Sequence, residues 1–524
     1  MEQRSEPLPR ESKQESSFAF FFDTEPRTLQ EKSLSEEAEE DEVVQPEPLR
    51  MQTSSEGGHE AEPVAYQLPR KIHIYFSDTG GGHRASALAL EAALEKQYGS
   101  QVSVELIDFF RAAMPWPLSQ APETYQTLGN FPSVYKRAWD YDQDSETWQD
   151  TTSYQWMWSY SKEHIVKYLQ PLDLDLVISV HPLIHHLVIE ALEEISRGSD
   201  VPREEIRLPV VTVVTDLGSA HLSWFDPRVD LLFVPSQEIY QLAVKRCVPK
   251  QKINLSGLPL REGFWSADPI ELDAKKRLQE QLGLRPTERP EVVLLMGGGE
   301  GFGRLNDVAC AIGDTLISLG YGQLVVVCGR NEEVRKSLSE RRWMNRQLGE
   351  WLFEPQILGF VKNIDEYMTA ADCLVTKAGP GSIAEGMIKG LPCLLTAFVP
   401  GQEEGNIGYV TDNGAGAYVP DEEPEQIAEK IAEWLSDPAA MKEMSENARR
   451  LAKPAAALQI ARRICDGLLD LGVELKEVKA SDFAPSRREL LLQRKEKRQA
   501  KRRADGNAHT EATAGEDEDT DSAS

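Results

Sequence analysis

The stretch KIHIYFSDTGGGHRASALALEAALE, residues 71–95, decides how this chain folds. Residues 71–76 alternate β-branched and aromatic side chains, the pattern of a strand. Three glycines at positions 80–82 follow, and from His83 onward Ala, Leu and Glu supply strong helix chemistry. Strand, glycine loop and helix open a doubly wound α/β sheet, with the small residues letting a ligand approach the backbone. His83 stands where the glycine loop meets the first helical turn. There the helix dipole disfavours an imidazolium, so the ring is expected to be neutral and able to take a proton from an attacking hydroxyl. Asp78 and Asp108 are the candidates for orienting it, and spacing does not choose between them.

Working outward, the same alternation continues. Further strands are expected at 102–107, 174–180, 209–215 and 231–234, and His181, Asp216 and Ser236 close three of them. The ends of parallel strands are where open α/β sheets bind ligands. A second unit starts with a strand at 292–296, followed by strands at 324–328, at 373–376 and around Leu394 and Leu395. These readings divide the chain into an acidic tail (1–68), a first Rossmann-like domain (69–264), a linker (265–289), a second Rossmann-like domain (290–470) and a charged tail (471–524). Both tails are rich in polar and charged residues with little to bury, the composition of disordered segments.

Composition bounds the function. The 524 residues carry a formal charge of −29, and 40% are hydrophobic. Acidic runs at both ends supply much of the charge, and nucleic-acid binding, which wants a basic footprint, is not expected. Six cysteines are scattered without a CxxC pair, as buried thiols of a reducing compartment would be. No apolar run is long enough to span a membrane, and the N-terminal glutamates do not suit a typical transit peptide. The segment 115–168 is unusual, with tryptophans at 116, 139, 148, 156 and 158. Such amphipathic aromatics suit a membrane interface or a helical insertion packed on the domain. The basic run 487–503 suits a solubilising tail or a helix on anionic lipid.

The second unit carries the nucleotide chemistry. Gly379, Gly381 and Ser382 open a helix whose free backbone N–H groups form an anion site for a diphosphate, with Ser382 as cap and donor. Glu385, one turn on, is placed to accept both hydroxyls of a ribose. Gln402, Glu403 and Asn406 offer what a polyhydroxyl sugar needs. No GxGxxG or GxxxxGK[ST] motif is present, and His181 and His185 lack the glutamate of a zinc site. No DxD pair closes a strand, so no metal is called for.

In chain order, FSDTGGGHRASA (76–87), PWP (115–117), SVHPL (179–183), VVTDL (213–217), GLPLR (257–261), LLMGGGEG (294–301), VCGRN (327–331), TKAGPGSIAEGMIKGLP (376–392) and PGQEEGN (400–406) resemble the monogalactosyldiacylglycerol synthases. More distantly the chain is similar to the transferase that adds N-acetylglucosamine to a lipid-linked peptidoglycan precursor. The resemblance implies a GT-B fold, two Rossmann-like domains facing across a cleft. It also implies inverting transfer of galactose from UDP-galactose to the sn-3 hydroxyl of diacylglycerol, with no metal or other cofactor. A UDP-glucose-dependent glucosyltransferase and an inactive nucleotide-binding scaffold are the alternatives. By motif, His83 is the base, and Arg261, Gly329, Arg330, Lys377, Gly379, Gly381, Ser382, Glu385, Gln402, Glu403 and Asn406 contact the UDP-sugar. Pro117 and Gln120 fall where that family binds anionic phosphatidylglycerol, an activator, and Trp224 falls in its acceptor-side loop. The partners implied are the UDP-sugar, diacylglycerol and an anionic membrane surface, with a homodimer left open and the plastid envelope as the site of action.

Overall fold

The computed structural model describes residues 71–470, apart from 80, 124–135, 138, 142, 144, 198–207, 286–288, 290, 299–302 and 344–353. Both predicted tails lie outside these residues, as do the basic run 487–503 and part of the motif LLMGGGEG (294–301). Among the described residues two six-stranded sheets, each parallel throughout, form the α/β architecture of the GT-B class.

The first sheet contains β1 (Lys71–Phe76), β2 (Ser103–Asp108), β3 (Leu176–Ser179), β4 (Val210–Val213), β5 (Leu231–Val234) and β6 (Ile253–Leu255), in the order β2-β1-β3-β4-β5-β6. Strands β3, β4 and β5 are buried along their whole length, as parallel strands covered on both faces must be. The second sheet contains β7 (Val292–Met296), β8 (Gln323–Val327), β9 (Gln356–Leu358), β10 (Cys373–Thr376), β11 (Cys393–Leu395) and β12 (Gly416–Tyr418), in the order β12-β11-β10-β7-β8-β9. Each order reverses once, between β1 and β3 in the first sheet and between β7 and β10 in the second. A reversal leaves a crevice at the carboxyl ends of the two strands concerned. The two glycine loops singled out in the sequence follow β1 and β10, one at each crevice.

Two boundaries differ from the sequence partition. The helix Ala456–Asp470 returns to the first sheet: Ile460 and Ile464 are fully buried in one cluster with Ile72, Ile74, Leu90 and Leu94. Its amphipathic face is complementary to the helix Gly82–Tyr98, so this helix of the chain's second half belongs to the first lobe's core. The expected linker is also partly structural. Its helix Leu272–Gln281 docks on the second lobe, where the Lys275 ammonium donates to Asp372 at 2.6 Å and the Gln279 amide donates to the Ala370 carbonyl at 2.9 Å.

Candidate active site

His83 sits in the crevice of the first sheet, in the first turn of the helix Gly82–Tyr98, whose N-cap is Gly81 at φ 80°. A positive φ is cheap only for glycine, which accounts for glycine at that turn. The His83 ring is buried, at 8% exposure, and its Nδ1 lies 2.8 Å from the Val180 carbonyl oxygen at the end of β3. A carbonyl only accepts, so Nδ1 carries the proton and Nε2 keeps the lone pair, the state a general base needs. The Thr215 hydroxyl is 2.9 Å from the same Nδ1. Burial pushes the imidazole down to about 4, outweighing the Val180 hydrogen bond, which acts the other way. Neither expected carboxylate orients the ring. Asp78 accepts from Arg84 at 2.8 Å, and Asp108 caps the helix Phe109–Ala113. A backbone carbonyl does this work, and no side-chain pattern announces one.

The base is walled by aromatic rings. His181 lies 4.7 Å from it and Trp224 6.2 Å, centroid to centroid. Trp224 is fully buried, and its indole N–H donates to Asp216 Oδ2 at 2.6 Å. Asp216, next to Thr215, is buried without a cation against it, and burial pushes its carboxyl up to about 7 against the Trp224 and Gln402 hydrogen bonds. The Gln402 amide comes from the opposite lobe and reaches Asp216 Oδ1 at 3.4 Å. Beside it the lobes meet closely. The Gly218 N–H donates to Asn406 Oδ1 at 2.7 Å, and the Ser219 hydroxyl donates to the Gln402 carbonyl at 3.2 Å.

In the second lobe the helix Pro380–Lys389 begins at the carboxyl end of β10, with Gly379 as N-cap and Pro380 in its first turn. Ser382 does not cap it, because no side chain does; it sits within the first turn. The N–H groups of Gly381 and Ser382 therefore point out of the helix start at its positive end. A side chain at Gly381 would meet no protein atom within 4 Å, so that glycine faces open space. The Lys377 ammonium pairs with Glu403, whose other oxygen accepts from the Val399 N–H at 2.9 Å. Arg261 donates to Glu385 at 2.8 and 3.2 Å. Burial raises the Glu385 carboxyl and the Arg261 charge opposes that rise.

The chain matches the family model described as monogalactosyldiacylglycerol (MGDG) synthase over residues 83–260, and the glycosyltransferase family 28 C-terminal domain over residues 292–460. It is 35% identical over 408 residues to the probable monogalactosyldiacylglycerol synthase, chloroplastic, of Glycine max, covering 77% of this chain and 72% of that protein. It is 36% identical over 402 residues to monogalactosyldiacylglycerol synthase 1, chloroplastic, of Arabidopsis thaliana, covering 76% and 71%. The chain belongs to the monogalactosyldiacylglycerol synthase family. Among solved structures, that of Acinetobacter baumannii MurG aligns with 76% of this chain and 100% of that chain, at 15% identity and a TM-score of 0.47.

The residues carried over from the monogalactosyldiacylglycerol synthases fall into three places. Lys377, Gly379, Gly381, Ser382, Gln402 and Glu403 surround the loop after β10. Gly329, at φ 59°, and Arg330 lie on the same edge of the sheet after β8, where the Arg330 guanidinium sits 5.7 Å from the Phe360 ring. Arg261 reaches this lobe through Glu385. The Asn406 side chain is buried, accepting from the Gly218 N–H at one end and donating to the Ala378 carbonyl at 2.8 Å at the other. It fastens the lobes together. Pro117 and Gln120 are both exposed, in the segment after the helix Phe109–Ala113. Beside them Trp116 is 74% exposed, and the Tyr160 hydroxyl donates to its carbonyl at 2.6 Å. Trp156 and Tyr160 stack at 5.6 Å. Sequence reasoning assigned no role to Val180 or Thr215. Position at a strand end was their one signal, and it is shared with many residues that do nothing.

Proposed function

We propose that this chain transfers galactose from UDP-galactose to the sn-3 hydroxyl of 1,2-diacylglycerol, with inversion at the anomeric carbon. One observation carries the proposal: His83 is tied through Nδ1 to a carbonyl, is kept neutral by burial and stands at the seam between two sheet crevices. His83 Nε2 takes the proton of the glycerol hydroxyl as its oxygen attacks the anomeric carbon. The bond to UDP breaks on the opposite face, and charge develops on the diphosphate. The N–H groups of Gly381 and Ser382, with Lys377 and Arg261, supply positive potential for that charge. This reading needs no metal ion, because those groups do the neutralising. Both cations are held by carboxylates here, Lys377 by Glu403 and Arg261 by Glu385, and both pairs rearrange as a donor enters. Glu385 then turns to the ribose hydroxyls and Glu403 to the sugar, where Gln402 joins it.

The acceptor comes from a membrane, and the first lobe reaches it. Trp116, Trp156 and Tyr160 expose amphipathic rings beside Pro117 and Gln120, a composition suited to the headgroup layer and to an anionic lipid activator. Among the described residues no helix is long and apolar enough to cross a membrane, so the attachment read here is peripheral. The relatives' chloroplastic names support a plastid envelope location. Purified chain, mixed lipid and labelled UDP-galactose or UDP-glucose test the reaction. Galactolipid is expected; glucolipid without galactolipid overturns the donor, and no product from either overturns the enzyme.

A further inference from the structure

The sequence motif VVTDL ends its buried run on Asp216, and the reaction described above gives this residue no part. Its carboxylate lies inside the seam, at 4% exposure. A buried carboxylate is costly unless cations or hydrogen bonds compensate it, and here the compensation is two neutral donors. Those donors come from the two sides of the reaction. The Trp224 indole, 2.6 Å away, belongs to the acceptor side and flanks the base. The Gln402 amide, 3.4 Å away, belongs to the donor loop of the other lobe. The neighbouring Thr215 places its hydroxyl 2.9 Å from Nδ1 of the base itself. One carboxylate therefore touches, directly or through its neighbour, the base, the acceptor wall and the sugar-reading side chain.

We propose that Asp216 is a positioning residue that fixes Gln402 and Trp224 in one geometry, so that the donor sugar is read only when the acceptor wall is in place. The proposal rests on the galactosyl-transfer reading. The helix start at Gly381 and Ser382, with Lys377 and Arg261, can hold the UDP portion without help from Asp216. The sugar needs Gln402, and Gln402 is aimed by Asp216. Asp216→Asn keeps the shape but gives up one acceptor oxygen, so it cannot accept from both donors as they stand.

The test uses the full chain with lipid micelles. Asp216→Asn is expected to raise KM for UDP-galactose about tenfold, the effect of losing one buried hydrogen bond, while the Kd for UDP alone stays within about twofold. In the Gln402→Ala background the same substitution is expected to add no further rise in donor KM. Trp224→Phe, which removes the indole donor together with part of the ring, is expected to raise the acceptor KM and to show non-additivity with Gln402→Ala. An equal loss of UDP affinity in Asp216→Asn would mean a structural role and overturn the proposal, as would additivity in both double variants. If Asp216→Asn does not fold, the Trp224→Phe and Gln402→Ala pair decides alone. A wild type that uses UDP-glucose overturns the galactose reading, and the same cycles run on that donor then decide the role of Asp216.

Discussion

At the residue scale the chemistry turns on which nitrogen of His83 is protonated. The Val180 carbonyl holds the proton on Nδ1, and burial holds the ring neutral. An imidazole near 6.5 when unfolded and about 4 when folded binds its proton more readily in the unfolded chain between those two values. The stability His83 contributes is therefore fully present above about 6.5 and is lost as the pH falls towards 4. The same shift keeps the base competent through the neutral range. A kcat profile is expected to show no His83 limb near 6.5 and a loss of the base only as the pH approaches 4, and a limb near 6.5 that survives in Asp216→Asn would place the working histidine in a wetter setting. His83→Ala should lower kcat by roughly 10²–10⁴-fold, the range for a general base, with UDP binding retained. Steady-state kinetics beside a UDP titration checks both halves. That a histidine would stand at the glycine loop was legible in the sequence. Its true orienting partner was not, since every residue offers a carbonyl and the partner is brought there by β3, 97 positions on.

At the scale of elements, what could be read depended on burial. β1, β5, β7 and β10 have the ends their apolar runs suggest, because parallel strands covered on both faces must be apolar throughout. β6, β9 and β12 are three-residue edge strands without such a run, and none announces itself. The helix Ala456–Asp470 shows an apolar face, yet a face does not name its partner, and this one crosses to the other lobe. The aromatic segment after β2 divides in the same way. Trp148 and Tyr154 are buried in the first lobe's core, whereas Trp116, Trp156 and Tyr160 face outward. The first pair packs as part of a helical insertion on the domain, and the second set supplies the exposed rings that a membrane interface would need. Trp116→Ala and Trp156→Ala together should weaken sedimentation with anionic vesicles by about tenfold or more, since burying a large apolar side chain is worth roughly 1.5–3 kcal/mol. Thermal stability should hold, because both rings lie on the surface outside the core. Unchanged sedimentation would return the patch to an incidental surface.

At the scale of the whole molecule the lobes close on a pair of glycines. A Cβ built on Gly218 would lie 2.2 Å from the Gly405 carbonyl oxygen, and one built on Gly405 would lie 2.7 Å from Ser219 Cβ. Both contacts are against chain that the fold holds in place, so no side chain can swing aside to make room. This explains glycine at two positions that have no local turn to justify it and that sit far apart in the sequence. Gln402 and Glu403 belong to the loop that Gly218 touches, and the Gly218 N–H holds Asn406 directly. Gly218→Ala must therefore push that loop away from the base while leaving each sheet as it is. A displacement on the order of 1 Å at a reacting centre costs about hundredfold in rate. The expected outcome is a fall of about that size in kcat/KM for UDP-galactose, with UDP affinity and melting temperature close to wild type. UDP affinity is spared because the Gly381 and Ser382 N–H groups and Arg261, which hold the diphosphate, lie outside the displaced loop. Kinetics and a UDP titration on the same preparation separate the cases: an unchanged kcat/KM would show that transfer does not need the closed seam, and a collapse of the melting temperature would show that the glycines serve folding instead.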